Sequence, residues 1–215
     1  MLSVKDYAAR QGITVARVHQ LIAGGAIKAH KIGSSWILPE SELSRRPSVS
    51  RPMSVVNAWH FIALLSGAQP TSELDPKSRW RLDRKREALL EAPEPTWLLA
   101  SWLRKRAPLL ALHANSADLS DLRNDNRLVL TGISDERSGM ASANEVEAYV
   151  EGEFAERIIE DYLLVSGEKP NVWLHLAHVE ADDHGLAPIG LTIADLADHN
   201  GARENQRARE LLAQL

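Results

Sequence analysis

Carboxylates and histidines concentrate toward the end of the chain, in a pattern that could hold a metal ion. The members of this group are Glu180, Asp182, Asp183, His184, Asp195, Asp198 and His199. Carboxylate oxygens and imidazole nitrogens are common ligands of divalent metals. However, the first four lie between a predicted strand and a proline, which favours a solvated polar loop, and the dipole at the end of a predicted helix accounts for His199. We therefore predict no metal and no cofactor.

Motifs for nucleophilic catalysis and phosphate binding are missing from the sequence. The chain has no cysteine, which excludes a cysteine nucleophile, a thiolate zinc site and a disulfide framework. Ser101 and Ser138 are not part of a nucleophile-elbow motif. The pair Gly24-Gly25 is not followed by the Lys-Ser/Thr of a phosphate-binding loop. We expect a protein that is not an enzyme and that has no catalytic residue.

Charge is distributed unevenly along the chain. Residues 1–52 contain eight Lys and Arg and three Asp and Glu, a net charge of +5, whereas residues 53–215 carry −9. This asymmetry suggests a polyanion-binding module followed by a domain with another task. Pro47 and Pro52 disfavour a helix or strand at the junction. We predict a domain over 1–46, a linker over 47–54 and a second domain over 55–215.

The start of the chain carries the signals of two short helices joined by a tight turn. Ser3, with Asp6 three residues later, is typical of a helix N-terminus, and Gly12 predicts the end of that helix. Thr14 is the expected cap of the second helix. The apolar stripe of this second helix consists of Val15, Val18, Leu21 and Ile22. The pattern predicts a helix-turn-helix.

In a helix-turn-helix, outward side chains near the start of the second helix contact DNA bases. Here these side chains are Thr14, Ala16, Arg17, His19 and Gln20. Arg17 can donate two hydrogen bonds to guanine, and Gln20 can pair with adenine in the same bidentate way. Each such contact is worth about 1–3 kcal/mol of discrimination. We expect Thr14 to cap the helix and to bind a phosphate.

Residues 27–38 alternate between two faces around a turn at Gly33, which predicts a β-hairpin. A hairpin in this position forms a wing that contacts phosphates or the minor groove and supplies affinity, not sequence preference. Pro39 begins a third small helix over 40–46. The residues expected at phosphates are Lys28, His30, Lys31, Ser34, Ser35, Arg45 and Arg46.

Residues 2–43 resemble the winged helix-turn-helix of the excisionase and MerR-related DNA-binding family. The motifs that carry the resemblance are Tyr7-Ala8-Ala9, Gly12-Ile13-Thr14, Val18, Leu21-Ile22, Gly25-Ala26-Ile27, Ile32-Gly33, Trp36-Ile37 and Leu38-Pro39. One departure is Val18 beside His19, where such helices commonly carry an aromatic residue. The resemblance implies binding to double-stranded operator DNA.

The remainder of the chain has signals of both helices and strands. Helical patterns cover 55–66, 75–91, 96–106, 152–164 and the end of the chain. Apolar runs typical of strands cover 109–114, 127–133, 145–150 and 171–177. We predict an α+β fold with an N-terminal winged helix-turn-helix, a helical segment and a mixed α/β C-terminal domain.

Helical spacing also predicts which side chains of the second domain face inward. Leu82, Leu89 and Leu90 share one face of the helix over 75–91, and Thr192 is the expected cap of a later helix. Four tryptophans are expected in the core, although an exposed subset would form a partner surface instead. They are Trp59, Trp80, Trp97 and Trp102.

The second domain resembles, through fewer motifs, AbiEi-like antitoxins of bacterial toxin-antitoxin pairs whose toxin is a nucleotidyltransferase. The matching stretches are 110–134, 145–150, 170–172 and 191–212. The resemblance implies a transcriptional repressor that binds its own operator and controls the toxin. The alternatives are a ligand-sensing transcriptional regulator and an excisionase-like accessory factor that bends DNA.

The expected partners follow from these two resemblances. They are operator DNA, a cognate toxin protein and a second copy of the chain, as a homodimer or as cooperative binding on repeated half-sites. No stretch is long and apolar enough for a membrane span, and charged residues at the start argue against a signal peptide. We expect a cytoplasmic protein without a membrane anchor.

Overall fold

The structure of the chain is a computed structural model that describes residues 2–11, 13–23, 27, 29–32, 35–39, 51–68, 74–140, 143–167, 169–182 and 184–215. The chain divides into two compact units, Met1–Val49 and Ser50–Leu215, which we call unit 1 and unit 2. Each unit combines helices with a small sheet, so the protein is α+β. Residues 47–50 of the predicted linker lie outside the described residues.

The described part of unit 1 consists of two helices and a three-stranded antiparallel sheet. The helices are α1 (Val4–Gln11) and α2 (Val15–Ala23), and the strands are β1 (Leu2–Ser3), β2 (His30–Ile32) and β3 (Ser35–Leu38). The strand order is β1-β3-β2, with Leu2 opposite Leu38 and His30 opposite Ile37. Strand β1 was not predicted, because two residues carry no periodic signal and pair only after the chain has folded back.

A small apolar core joins these elements. Its buried members are Leu2, Val4, Tyr7, Ala8, Val18, Leu21, Ile27 and Leu38. Ser3 Oγ accepts a hydrogen bond from the Asp6 N–H (3.2 Å) and donates one to Asp6 Oδ2 (2.7 Å), so α1 begins with the predicted cap. The predicted turn at Gly33 and the predicted helix over 40–46 lie outside the described residues.

Unit 2 is built from seven described α-helices and a four-stranded sheet. The helices are α3 (Val55–Leu65), α4 (Pro76–Leu90), α5 (Pro95–Leu103), α6 (Leu119–Arg123), α7 (Gly152–Asp161), α8 (Ile189–His199) and α9 (Ala202–Leu212). The strands are β4 (Leu109–Leu112), β5 (Leu128–Leu130), β6 (Val146–Val150) and β7 (Val172–Leu176). The strand order is β4-β7-β6-β5, and only the β6–β7 pair is parallel. Helix α7 is the crossover between these two parallel strands.

The sheet of unit 2 separates two apolar cores. Along β6, the side chains of Val146, Ala148 and Val150 enter one core, where they pack with α6 and α7. Tyr149 enters the other core, which the helices α3, α4, α5, α8 and α9 form. Successive side chains of a strand point to opposite faces, which explains this division. Unit 2 therefore has helices on both faces of its sheet.

Two predictions about helices of unit 2 are wrong in detail. Helix α8 begins at Ile189, and Thr192 lies inside it, fully buried. The Thr192 hydroxyl donates to Asp135 Oδ2 (2.5 Å) instead of capping the helix. Leu90 is 44% exposed, because the helix is anchored through Leu82 and Leu89 alone, which places Leu90 at the edge of the buried face.

The tryptophans of the helical segment differ in their exposure. Trp102 is buried, and Trp59 and Trp97 are half-buried. Trp80 is 63% exposed, so the predicted core position is wrong for this residue. None of the helices in the described part of the chain is long and apolar enough to cross a membrane.

Candidate functional site

Helix α2 of unit 1 has one buried face and one exposed face. Val18 and Leu21 are buried in the core of unit 1. The residues expected at DNA bases are all exposed: Thr14, Ala16, Arg17, His19 and Gln20. The helical repeat places Ala16, His19 and Gln20 on the side of α2 opposite the buried pair, and Arg17 at the edge of that side, next to Gln20. The structure therefore brings the predicted base-contacting side chains together on one surface.

Local hydrogen bonds order the start of this surface. Thr14 Oγ1 accepts a hydrogen bond from the Arg17 N–H (3.2 Å), so the hydroxyl caps α2. Arg17 Nη1 donates to Gln20 Oε1 (3.3 Å), one helical turn further on. A guanidinium has five N–H donors, so one internal bond leaves donors for an outside acceptor. Arg17 and Gln20 thus form a joint polar group on the outer side of α2.

The hairpin of β2 and β3 carries three of the residues expected at phosphates. His30, Lys31 and Ser35 are all exposed. Lys31 lies opposite Trp36 and His30 opposite Ile37, so Lys31 and His30 point to opposite faces of the hairpin. Lys28, Ser34, Arg45 and Arg46 lie outside the described residues.

The described part of unit 1 is electropositive. Its cations are Lys5, Arg10, Arg17 and Lys31, and its one carboxylate within the described residues is Asp6. The Ser3 hydroxyl donates to that carboxylate and holds its pKa below the ordinary value. Asp6 therefore stays ionised at the N-terminus of α1, on a different helix from Arg17 and Gln20.

Unit 2 contains a second polar constellation, and this one is buried. We call it the buried network; its members are Arg106, Thr131, Glu147, Tyr149, His175, Asp195, Asp198 and His199. Arg106, which follows α5, is 3% exposed, and Asp195 in α8 is fully buried. Arg106 Nε donates to Tyr149 Oη (3.0 Å) and to Asp195 Oδ1 (3.1 Å), and Nη2 contacts both Asp195 and Asp198. Thr131 donates to the other Asp195 oxygen.

Glu147 is the second carboxylate centre of the buried network. Its Oε1 lies 3.1 Å from His175 Nε2, and its Oε2 lies 3.0 Å from His199 Nε2. The Ile133 N–H donates to Oε2 as well (3.0 Å). His175 stacks on the ring of Tyr149, with 4.7 Å between ring centroids. Strands β6 and β7 therefore meet α8 through a chain of hydrogen bonds.

The pKa values of Glu147, His175 and His199 are shifted toward ion pairs, whereas burial raises the pKa of Asp198 above its ordinary value. Burial raises the pKa of Glu147, but hydrogen bonds from His175 and His199 outweigh it and hold the pKa at about 2. Burial lowers the pKa of His175, yet the nearby Asp195 and Glu147 charges leave it above its ordinary value. His199 behaves in the same way through its hydrogen bond to Glu147. Both imidazoles are thus stabilised in the protonated form beside the ionised carboxylate of Glu147.

Three side chains of the buried network have the geometry of potential metal ligands. Donor atoms of Glu147, His175 and Asp195 lie within 4.8 Å of one another. However, every oxygen of the two carboxylates already accepts a hydrogen bond, and Arg106 holds its guanidinium against Asp195. A metal would have to displace Arg106 and deprotonate His175. The donor set therefore fits a closed ion-pair network better than a metal site.

The network includes only part of the acidic and histidine group in the sequence. Asp195, Asp198 and His199 belong to it, and His199 is held by Glu147 rather than by the helix dipole alone. The preceding loop does not belong to it. Asp182 Oδ1 accepts hydrogen bonds from the backbone N–H groups of His184 and Leu186, as in a solvated polar turn, and Asp183 lies outside the described residues.

Sequence reasoning missed five members of the network, which are Arg106, Thr131, Glu147, Tyr149 and His175. A signal was present for two of them, since Glu147 and His175 interrupt apolar runs of predicted strands. A charged residue in the middle of such a run has to be exposed or paired. Ser138 is buried, and its hydroxyl donates to the Asp135 carbonyl (2.6 Å), which is a turn contact and not the environment of a nucleophile.

Comparisons of this chain with protein-family models, curated proteins and solved structures found no match. The functional proposal therefore rests on the exposed side of α2.

Proposed function

We propose that the protein is a sequence-specific DNA-binding regulator whose unit 1 places α2 in the major groove. One observation carries this proposal: α2 buries Val18 and Leu21 and exposes Arg17 and Gln20, which are joined by a hydrogen bond. An α-helix with its side chains is about 10–12 Å in diameter, which suits a major groove about 12 Å wide. We interpret unit 1 as a winged helix-turn-helix.

The outer side chains of α2 have donor and acceptor sets that match base edges. Arg17 suits the two acceptors of guanine, and the Gln20 amide suits adenine. Because the two side chains already contact each other, they are positioned to contact neighbouring bases. Ala16 offers a methyl group for thymine, while the Thr14 hydroxyl is engaged in capping α2.

The hairpin of unit 1 supplies the phosphate contacts in this proposal. Lys31 and His30 are exposed on opposite faces of β2, so a hairpin beside or inside the minor groove would reach the two sugar-phosphate backbones with one residue each. Phosphate contacts position the protein without sequence preference. The positive charge of residues 1–52 supports this role.

Binding of the purified full-length chain to the DNA upstream of its own gene tests the proposal. We expect preferential binding over a scrambled duplex of the same length, with an affinity that falls steeply as salt increases. Equal binding to both duplexes would contradict sequence recognition. No binding to either duplex at low salt would mean that unit 1 binds another protein and not DNA.

The resemblance of the second domain to AbiEi-like antitoxins further predicts that the protein represses its own operon and controls a nucleotidyltransferase toxin. Both functions stay predictions. Co-expression with the product of the adjacent gene tests the toxin partnership, because an antitoxin restores growth that its toxin arrests. A reporter gene behind the bound DNA tests repression separately.

A further inference from the structure

Helix α4 of unit 2 is basic although the surrounding sequence is acidic. It contains six Lys and Arg, and its acidic residues are Asp83 and Glu87, whereas residues 53–215 as a whole carry −9. Two of its cations serve the fold: the Lys85 ammonium lies 4.0 Å from the Trp102 ring centroid, and Arg86 donates to the Leu215 carbonyl (3.1 Å). Among the outward cations of α4, Arg84 pairs with Glu87 of the same helix.

The outer surface of α4 combines cations with an exposed aromatic ring. Leu82 and Leu89 hold the helix against α3 and α5, and the helical repeat places four residues on the opposite side. We call these residues the basic face of α4; they are Lys77, Trp80, Arg81 and Arg84. Trp80 is 63% exposed. Glu87 shares this side of α4 and pairs with Arg84 in an exposed salt bridge, so the three cations leave the side with a net positive charge. An exposed tryptophan flanked by arginines is typical of a protein interface.

Helix α7 has the opposite charge. Ala155 and Ile158 are buried in the core on its inner side, and its outer side carries three exposed carboxylates and one arginine. We call this the acidic face of α7; its residues are Glu153, Glu156, Arg157 and Glu160. Just beyond the helix, Leu163 is 80% exposed and has a φ of +50°. The left-handed backbone region is unfavourable for leucine. The exposed Leu163 side chain adds an apolar surface beside the carboxylates of α7.

The two faces cannot meet within one copy of the chain. Helix α4 belongs to the core on one side of the four-stranded sheet, and α7 belongs to the core on the other side. The outer residues of both helices are exposed, so complementary contacts are available between copies.

We propose that the basic face of α4 in one copy docks on the acidic face of α7 in the next copy. Charge complementarity selects this occupant. A nucleic-acid duplex is a poorer fit, because its bases are stacked and offer Trp80 no ring face, and because the net charge of residues 53–215 repels phosphates. The contact joins two different surfaces, so it is heterologous and generates a head-to-tail row or a ring.

A head-to-tail row of copies also affects DNA recognition. This inference rests on the DNA-binding function of unit 1 proposed above. Association between copies brings several units 1 to one DNA molecule. We therefore expect cooperative binding to DNA that carries repeated half-sites.

The mass of the full-length protein in solution, without DNA, tests the docking. We expect association at low salt and a decrease toward the 23.8 kDa monomer at high salt in light scattering or sedimentation. The double variant Lys77→Glu/Arg81→Glu should be monomeric at low salt. The reciprocal variant Glu153→Lys/Glu156→Lys should be monomeric as well, because each variant then presents two faces of like charge.

Mixing the two variants gives the decisive result. Each keeps one native face, so the mixture should associate again, which also shows that both proteins are folded. The matched control Arg104→Glu/Lys105→Glu changes two exposed cations beyond α5 and should associate like the unaltered chain. A monomeric unaltered chain at low salt, variants that associate normally, or a mixture that stays monomeric would each overturn the docking.

The same variants separate this proposal from the function of unit 1. A duplex with one binding site should bind the Lys77→Glu/Arg81→Glu variant as tightly as the unaltered chain. Weaker binding to that single site would show that the basic face of α4 contacts DNA, and the docking between copies would be wrong. Failure of all DNA binding leaves the association experiment intact.

Discussion

Arg106 and Asp195 form a buried ion pair between residues that are 89 positions apart in the sequence. The guanidinium also contacts Tyr149 in β6 and Asp198 in α8. One side chain thus connects the end of α5, the sheet and α8. A buried charge is tolerated only when it is paired, so each member depends on the others.

Replacement of Arg106 by Met should destabilise unit 2 strongly, because it leaves the Asp195 carboxylate buried without its cation. We expect the free energy of unfolding to fall by about 3–5 kcal/mol. The measurement is urea unfolding followed by tryptophan fluorescence in a Trp36→Phe background, in which all remaining tryptophans lie in unit 2. Arg84→Ala is the control, since its exposed pair is worth at most about 1 kcal/mol. Equal losses for the two variants would contradict the importance of the network.

The stability of unit 2 should depend on pH in two directions. The pKa of Glu147 is lowered from 4.5 to about 2 on folding, so its stabilisation is present above pH 4.5 and is lost as the pH falls toward 2. The pKa values of His175 and His199 are raised above 6.5, so their stabilisation is present below pH 6.5 and is lost as the pH rises through the raised values. We expect maximal stability between pH 4.5 and 6.5.

Urea unfolding across this pH range, in the same Trp36→Phe background, measures the profile. Glu147→Gln removes the carboxylate that bonds both imidazoles, so stability should change less steeply with pH on both the acidic and the alkaline side. The pKa should change more for His199 than for His175, because His199 loses the hydrogen bond to Glu147 that raises its pKa. An identical profile for the variant would show that other groups control the pH dependence.

Gly132→Ala should disrupt the buried network by sterics. An added Cβ would lie 1.9 Å from Glu147 Oε2, and Gly132 has a φ of +51°. Gly139 has a similar φ of +62° with no atom within 4 Å of its added Cβ. Gly139→Ala should therefore lower the free energy of unfolding only by the cost of placing a side chain in the left-handed backbone region, about 1–2 kcal/mol. Gly132→Ala should lower it by roughly 3 kcal/mol or more. Similar costs for both would mean that Glu147 moves aside freely.

Arg17→Ala should weaken specific DNA binding and relax the preference at one base position. The loss of a bidentate contact corresponds to about 1–3 kcal/mol, or roughly 5- to 150-fold in Kd. Binding titrations with duplexes altered at single positions measure both effects. Arg104→Ala, an exposed arginine of unit 2, is the control and should leave Kd unchanged. Equal base preferences before and after the change would exclude Arg17 from base recognition.

Lys31→Ala should weaken binding to all sequences alike. The loss of one phosphate contact lowers the slope of log K against log salt concentration by about 0.9. Lys31→Arg keeps the charge and should keep the slope. If Lys31→Ala leaves the slope unaltered, the hairpin does not contact phosphates.

The elements of unit 1 were largely predictable, because their signals are local. Ser3 and Thr14 cap helices through bonds to residues three positions away, and the spacing of Val18 and Leu21 defines the inner side of α2. The outer side, with Arg17 and Gln20, follows from the same repeat of 3.6 residues per turn.

The sequence by itself determined the α+β composition, most helix and strand positions and the outward side of α2, since these depend on neighbours within a few residues. Only the tertiary structure decided the buried network, because Arg106, Glu147 and Asp195 meet through the pairing of β6 with β7 and the packing of α8. Tertiary packing also left Trp80 outside, since α4 needs only Leu82 and Leu89 to cover its part of the core. Long-range register and packing have no local signal, which is why these features appear only in the folded chain.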